Sequence, residues 1–227
     1  LDADPGQGSI GPPATIGLRV PGQGPPLLRF VGAVSPPGHL LPMVAGIRRL
    51  LDRSAGRTVV DTPGWTTGTG ALEMHEHAIE VVRPCVVVGL ERTPGELDPA
   101  LAPFLRRRDI QIVRLPASPD VRRRTPSMRQ ARREERFREH LAGSVVHRLA
   151  PPIHGPAAGG PAAGEPGRLV AILGGEGFVV ALGVLLEIEP EGVAVAAPPF
   201  EASTAASVRL GSLRVDPATG ESLPLRP

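Results

Sequence analysis

The sequence predicts an α/β fold, a parallel sheet covered by helices, followed by a small β domain. Three observations lead there. Strand-like and helix-like segments alternate over residues 1–149, the pattern of parallel strands joined by covering helices. The run CVVVGL at 85–90 is continuous and β-branched, as buried parallel strands are. The stretch PPIHGPAAGGPAAGEPG within 150–167 lacks large apolar side chains and reads as a linker, and short β-type runs fill 168–227 beyond it.

The elements follow in order. LDADPGQG at 1–8 passes from a strand end into a Gly/Pro-rich loop, with little regular structure expected until the short apolar run and turn of RFVGAVSPPG at 29–38. Between residues 39 and 53, Leu40, Val44, Ile47 and Leu51 recur at helical spacing while Arg48, Arg49 and Arg53 lie elsewhere, which predicts an amphipathic helix. RTVVDTPGW at 57–65 reads as a strand ending in a turn, and 71–83 as a helix stopped by Pro84. The strand at 85–90 opens on Cys85, read as a small buried hydrophobe. A helical DPALAPFLRRR at 98–108 then leads to a strand at 111–116. After the linker, LVAIL, GFVVALGVLLEIE, GVAVAAPP and ASVRLGSLRVD predict antiparallel strands ending near Val215.

Composition narrows the function classes. One cysteine excludes an intramolecular disulfide and any Cys-rich zinc site, which fits a reducing compartment. No segment approaches the roughly 20 apolar residues of a membrane span and the N-terminus lacks a signal-peptide layout; a cytoplasmic protein without membrane contact is expected. His75 and His77 stand at i and i+2, face apart on a helix, and are read as surface or helix-face residues rather than metal ligands.

The charge distribution is uneven. The basic residues are all arginine, and residues 106–138 hold 12 of them against 4 acids, a local +8, while the net charge of the whole chain is only +2. Glu134, Glu135 and Glu139 can pair with some of these arginines at helical spacing, but the excess calls for an anionic partner. Asp2 and Asp4 stand where a strand ends, the edge at which open α/β sheets bind ligands. Two aspartates in a Gly-rich turn are ordinary turn-formers; in phosphoryl transfer a carboxylate so placed can hold Mg²⁺ or take the proton of an attacking hydroxyl. Trp65, the only tryptophan of a chain without tyrosine, lies in the Gly-bounded loop TPGWTTGTG rather than in an apolar run, which favours an exposed binding residue over a core one.

These segments together resemble the polynucleotide 5'-hydroxyl kinases, the family of the kinase subunit of the pre-mRNA cleavage factor, the pre-ribosomal-RNA-processing kinase and their archaeal relatives. DADPGQG is similar to that family's D-x-D-x-G-Q, RFVGAVSPPG to its F-x-G-x-T-S-P, VVDTPGWTTGTG to its T-x-G-W-x-x-G-x-G, and RQARREERFREHLAG to its arginine-rich R-x-x-x-R-x-x-R-x-R-E-Y-F-x-G. GEGFVVALGVLLEI and VRLGSLRVD are similar to its last domain. The resemblance implies a P-loop-type α/β domain using ATP and Mg²⁺ on RNA or DNA 5'-hydroxyl ends, and points to no particular protein partner. It implies Asp4 as metal ligand or base, Asp2 and Gln7 beside the nucleotide phosphates, and Arg133 and Arg138 as phosphate-contacting arginines of a lid spanning 106–143. Arg129 and Arg136 would support them, Trp65 would stack on the terminal base, and Ser35 would approach the substrate backbone.

The sequence departs from the family pattern in places. Val34 stands where the family has threonine, and His140, Leu141, Ala142 and Gly143 replace its Y-F-x-G. A G-x-x-x-x-G-K-[ST] loop needs a lysine, and the chain has none; the expectation is that this loop precedes Leu1 and that the chain alone is inactive. The alternative function is a non-catalytic nucleic-acid-binding or scaffold subunit.

Overall fold

The structure, a computed structural model, describes residues 1–122, 124–155 and 164–225. Its architecture is α/β with a C-terminal antiparallel sheet, the class the sequence predicts.

Residues 1–3 and 59–61 lie side by side in parallel: the Leu1 ammonium donates to Val59 O at 2.7 Å, Asp61 N to Leu1 O at 2.9 Å and Ala3 N to Asp61 O at 2.8 Å. The strand expected over 57–65 is therefore reduced to a bridge at Asp61. On its other side Asp2 pairs with Gly17 of β1 (Thr15–Leu18), which forms an antiparallel ribbon with β2 (Leu27–Phe30). The sequence reading left this ribbon as loop because Gly and Pro crowd residues 5–26; those residues make the turns, and the four apolar-rich positions of β1 are all buried.

Helices α1 (Leu40–Leu51) and α2 (Thr69–Val82) cover the ribbon, closing a core of Ile16, Leu18, Met43, Ile47, Leu50 and Met74. α2 ends where Arg83 turns left-handed, φ 49°, just before Pro84. Parallel strands β3 (Val86–Glu91) and β4 (Gln111–Pro116) follow, linked by the short α3 (Asp98–Leu101). The helix expected to reach residue 108 stops there because Pro103 has no N–H for the α-helical ladder, and Ala102–Phe104 continue as a 3₁₀ turn.

The expectation of a strand buried on both faces fails for β3. Leu97 and Leu101 pack close over Gly89, but Val86, Val88, Leu90 and Leu115 on the opposite face are exposed among the described residues. Cys85, at the start of this strand, is exposed too, not the buried hydrophobe expected.

Helix α4 (Pro126–Leu141) then leads directly into the C-terminal sheet. That sheet begins earlier than the sequence suggested. β5 (Val145–Leu149), counted with the α/β unit, pairs with β9 (Gly192–Ala197), and β6 (Ile153–His154), inside the expected linker, pairs parallel with β10 (Ser207–Val215). Linker residues 156–163 lie outside the described residues. With β7 (Arg168–Leu173), β8 (Val179–Glu189) and β11 (Ser222–Pro224), the strand order is β11-β10-β7-β8-β9-β5.

Alternation along β7 sends Leu169, Ala171 and Leu173 to one face and Val170 and Ile172 to the other. The first face meets Phe30 of β2 and Phe137 and Leu141 of α4, so both halves of the chain share one core. Among the described residues no helix is long and apolar enough to cross a membrane.

Phe137 is fully buried where α4 meets β7 and β8. Phe137→Ala is expected to lower unfolding free energy by about 3–5 kcal/mol, read as a shifted urea midpoint at unchanged slope.

Candidate functional site

The string DADPGQGS folds as a tight loop because its carboxylates bond its own amides. Asp2 Oδ1 accepts the Asp4 N–H at 3.0 Å, and Oδ2 accepts both the N–H and the hydroxyl of Ser9. Asp4 Oδ1 accepts the N–H groups of Gly6 and Gln7 at 2.8 and 2.9 Å, an Asx-type turn. Asp4 Oδ2 accepts no hydrogen bond from the described residues. The glycines are required by close approach: a Cβ on Gly8 would lie 2.5 Å from Asp4 O and 2.8 Å from Asp2 Oδ1, and one on Gly6 would collide with Val34 O.

That contact sets Val34 and Ser35 beside the Asp4 loop. Val34, in the place of the family threonine, packs against the core of Phe30 and Phe137, and Ser35 is exposed.

Helix α4 closes the other side. Its start is fixed by Thr125, whose hydroxyl accepts the Met128 N–H at 3.2 Å, and by Pro126 in the first turn. Arg129, Arg133 and Arg136 recur at i, i+4 and i+7 and share a face. Gln7 Nε2 reaches across to Arg129 O at 3.1 Å. The Arg136 guanidinium donates to Gly8 O and Gly11 O. Arg136 thus holds the loop, and the Arg129 guanidinium is taken up by Arg124 O at 3.0 Å.

Arg133 is placed differently. Burial, with the like charge of Arg129, lowers its pKa, and the Asp4 charge acts in the opposite direction. Its Nε is buried without a partner, as is Gln7 Oε1. The result is a loop carboxylate with one uncommitted oxygen and, on the helix bonded to that loop, a guanidinium with an uncommitted N–H. Arg138 is not part of this face. It lies about 140° around the helix from Arg133, is exposed, and its peptide backs onto Gly220.

Trp65 follows the Asp61 bridge by four residues. It is half-buried rather than exposed: it packs at the edge of the Ile16–Met43–Met74 core, and its ring lies over Gly70 at the start of α2. His75 Nε2 donates to Trp65 O at 2.9 Å, so His75 supports the tryptophan loop from a face of α2, while His77 is exposed. Among the described residues no group of three His, Cys, Asp or Glu is arranged to hold a metal ion.

Sequence reasoning missed Asp61. Its desolvation and the nearby charges of Asp2 and Asp4 raise its carboxyl above the ordinary value. The signal was its place directly before TPGW at a strand end.

A carboxylate loop beside a parallel bridge, bonded to a helix face of half-buried arginines, is the kind of ligand edge that α/β proteins present at strand ends, with side chains suited to phosphate. The chain belongs to the mRNA cleavage and polyadenylation factor CLP1 P-loop family, whose profile matches residues 1–143. It is 29% identical over 160 residues to a polyribonucleotide 5'-hydroxyl-kinase of Methanocaldococcus jannaschii, covering 66% of this chain and 43% of that protein. The corresponding kinase of Pyrococcus furiosus is 30% identical over 157 residues, 64% of this chain and 43% of the relative. A CLP1 homolog of Culex quinquefasciatus is 32% identical over 171 residues, covering 64% and 38%. The chain thus spans less than half the length of these relatives. The solved complex of Clp1p with Pcf11p superposes with a TM-score of 0.64 at 14% identity, covering 94% of this chain and 66% of Clp1p. A Clp1p point mutant described as having lost ATP gives the same values.

Burial lowers the pKa of both His75 and His140; each ring donates Nε2–H to a carbonyl, that of Trp65 and of Leu182. Because the folded pKa lies below the unfolded one, the unfolded chain binds more protons as pH falls, and stability drops. Melting temperature is expected to fall between about pH 7 and pH 5, and the His75→Gln/His140→Gln variant should show a shallower fall in the same scan.

Proposed function

We propose that this chain carries the acceptor-activating, arginine and base-platform parts of a polynucleotide 5'-hydroxyl kinase, which transfers the ATP γ-phosphoryl group to the 5'-hydroxyl of RNA or DNA. The observation that carries this reading is that the arginine face of α4 is bonded to the Asp4 loop, Gln7 Nε2 donating to Arg129 O and Arg136 to Gly8 O and Gly11 O, with Arg133 on the same face within the field of the Asp4 charge.

The chemistry fits the groups present. Asp4 Oδ1 is committed to the loop, which leaves Oδ2 to take the proton of an attacking hydroxyl or to ligate Mg²⁺. A hard cation needs only one or two protein carboxylates when phosphates and water complete its shell, so Asp4 suffices. Arg133 brings permanent charge and a free N–H to a partly desolvated position, where stabilising a transferring phosphoryl group is most effective. Gln7 Oε1, on the same loop, is buried without a partner. Asp2 is committed to the loop and acts by holding Asp4. Arg129 and Arg136 hold the helix to the loop, and Arg138, from its exposed stripe, would meet the polynucleotide backbone beyond the reacting group.

Trp65 would be the base platform. One face of its ring rests on α2, which holds it rigid, and stacking on the other tolerates any base. Ser35, exposed beside the Asp4 loop, would lie along the backbone. The ATP phosphates call for a lysine-bearing loop that these residues do not contain.

Two measurements test this. The chain alone, given labelled ATP and a 5'-hydroxyl oligonucleotide, should transfer no phosphate; turnover would overturn the assignment of phosphate holding to a separate loop. Single-stranded oligonucleotide should quench the lone tryptophan, with binding that weakens steeply as salt rises. Trp65→Ala should cost about 1–3 kcal/mol of that binding whichever base is terminal, and Arg133→Ala should lower it as well. Binding and emission indifferent to oligonucleotide would remove the polynucleotide substrate.

A further inference from the structure

The two sides of the cleft belong to different halves of the chain. The Asp4 loop hangs from the β1–β2 ribbon and the Asp61 bridge. Helix α4 is mounted on the C-terminal sheet: Phe137 and Leu141 pack among Leu169, Ala171, Leu173, Leu182 and Val184, His140 Nε2 donates to Leu182 O at 3.2 Å, and Gly220 abuts the backbone of Glu134 and Arg138. Whatever seats the sheet against the α/β half therefore also seats the helix that carries Arg133 against the Asp4 loop.

The β7–β8 turn, 174–178, is built for that seating. Gly174 N–H donates to Phe178 O at 2.9 Å and Gly177 N–H to Gly174 O at 2.8 Å, which closes the turn with Gly177 at φ 76°. Its tip leaves the C-terminal half altogether. Phe178, only 8% exposed, enters the core of Ile16, Met43, Ile47 and Leu50. The guanidinium groups of Arg29 and Arg53 lie 5.9 and 5.5 Å from its ring centre, within cation–π range. Three cations, on β2, on α1 and in the turn just after α1, also take the acceptors of the turn. Arg29 donates to Gly177 O, Arg49 to Glu176 O at 3.3 Å, and Arg53 pairs with the Glu176 carboxylate. From this anchored tip β8 runs on without a break to Leu182, the residue that both packs on α4 and accepts from His140.

We propose that the turn 174–178 is a latch that positions α4, with Phe178 and Glu176 as positioning residues for Arg133 some distance from them. This deepens the kinase reading, and rests on it only for the consequence that the cleft binds a polynucleotide. Breaking the latch should loosen the arginine helix while leaving β3 and β4 as they were.

The test is amide hydrogen exchange on the whole chain, followed in peptides from 126–141, 86–91 and 111–116. Phe178→Ala removes the anchor; Glu176→Arg spares the core and sets a fourth cation against Arg29, Arg49 and Arg53. Glu191→Arg, the same charge change in the exposed β8–β9 turn, is the control. Exchange in α4 should rise at least about threefold in both latch variants, and stay as in the parent chain in the control, with β3 and β4 unchanged in all three. Oligonucleotide quenching of Trp65, measured alongside, should weaken in the latch variants. Unchanged α4 exchange in Glu176→Arg, or a rise spread equally over β3 and β4, would overturn the latch. A parent chain that ignores oligonucleotide while α4 still loosens would leave the latch standing and remove only the kinase reading.

Discussion

Asp2 is the point at which three stretches of chain meet. Its peptide pairs with Gly17 on one side and Asp61 on the other, and its carboxylate, 6% exposed, is bonded by the Asp4 amide and by Ser9. A buried carboxylate is costly unless its oxygens are satisfied, so the backbone from 2 to 9 must close around it in one way. Closing that way brings Gly6 onto Val34, turns Gly8 O toward Arg136 and lets Gln7 reach Arg129 O. Asp2 thus belongs to the cleft without facing it.

The parts of this arrangement that the sequence disclosed are those governed by local chemistry. The helices at 40–51 and 69–82 follow from apolar spacing and a terminating proline, and the antiparallel C-terminal strands from turn punctuation. The D-x-D-x-G-Q loop and the arginine helix were legible because their residue types are restrictive. What escaped depends on partners remote in sequence. Burial of Thr15–Leu18 is conferred by α1, exposure of Cys85 and Val88 by the lack of a covering element among the described residues, and the pairing of β5 with β9 spans more than forty residues. Trp65 shows the limit of composition: rarity and glycine neighbours suggested exposure, and the ring instead rests on Gly70.

The arginine-rich stretch also divides more finely than its charge suggested. Arg107 pairs with Glu80 and Asp109, and Arg114 with Glu91 and Asp98, at the α/β sheet. The exposed Arg107 pairs add little stability, whereas Arg114 satisfies the buried Glu91 carboxylate, and both guanidinium groups are thereby withdrawn from any ligand. Arg136 and Arg129 are occupied by carbonyls. A local excess of +8 on paper thus narrows, near Asp4, to one half-buried guanidinium. Specific chemistry at Arg133 can coexist with a diffuse attraction for anions contributed by the exposed remainder.

The exclusive use of arginine has a consequence of its own. An ammonium placed as Arg133 is, desolvated and next to a like charge, could lose its proton near neutrality, as buried lysines do. A guanidinium in the same place stays ionised, because even a lowered arginine pKa remains far above physiological values. The positive charge of Arg133 is therefore constant across the physiological range. What does titrate is the scaffolding, the His75 prop under the tryptophan loop and the His140 link between α4 and β8. Acidity can change the shape of this cleft well before it can change the charge of its arginines.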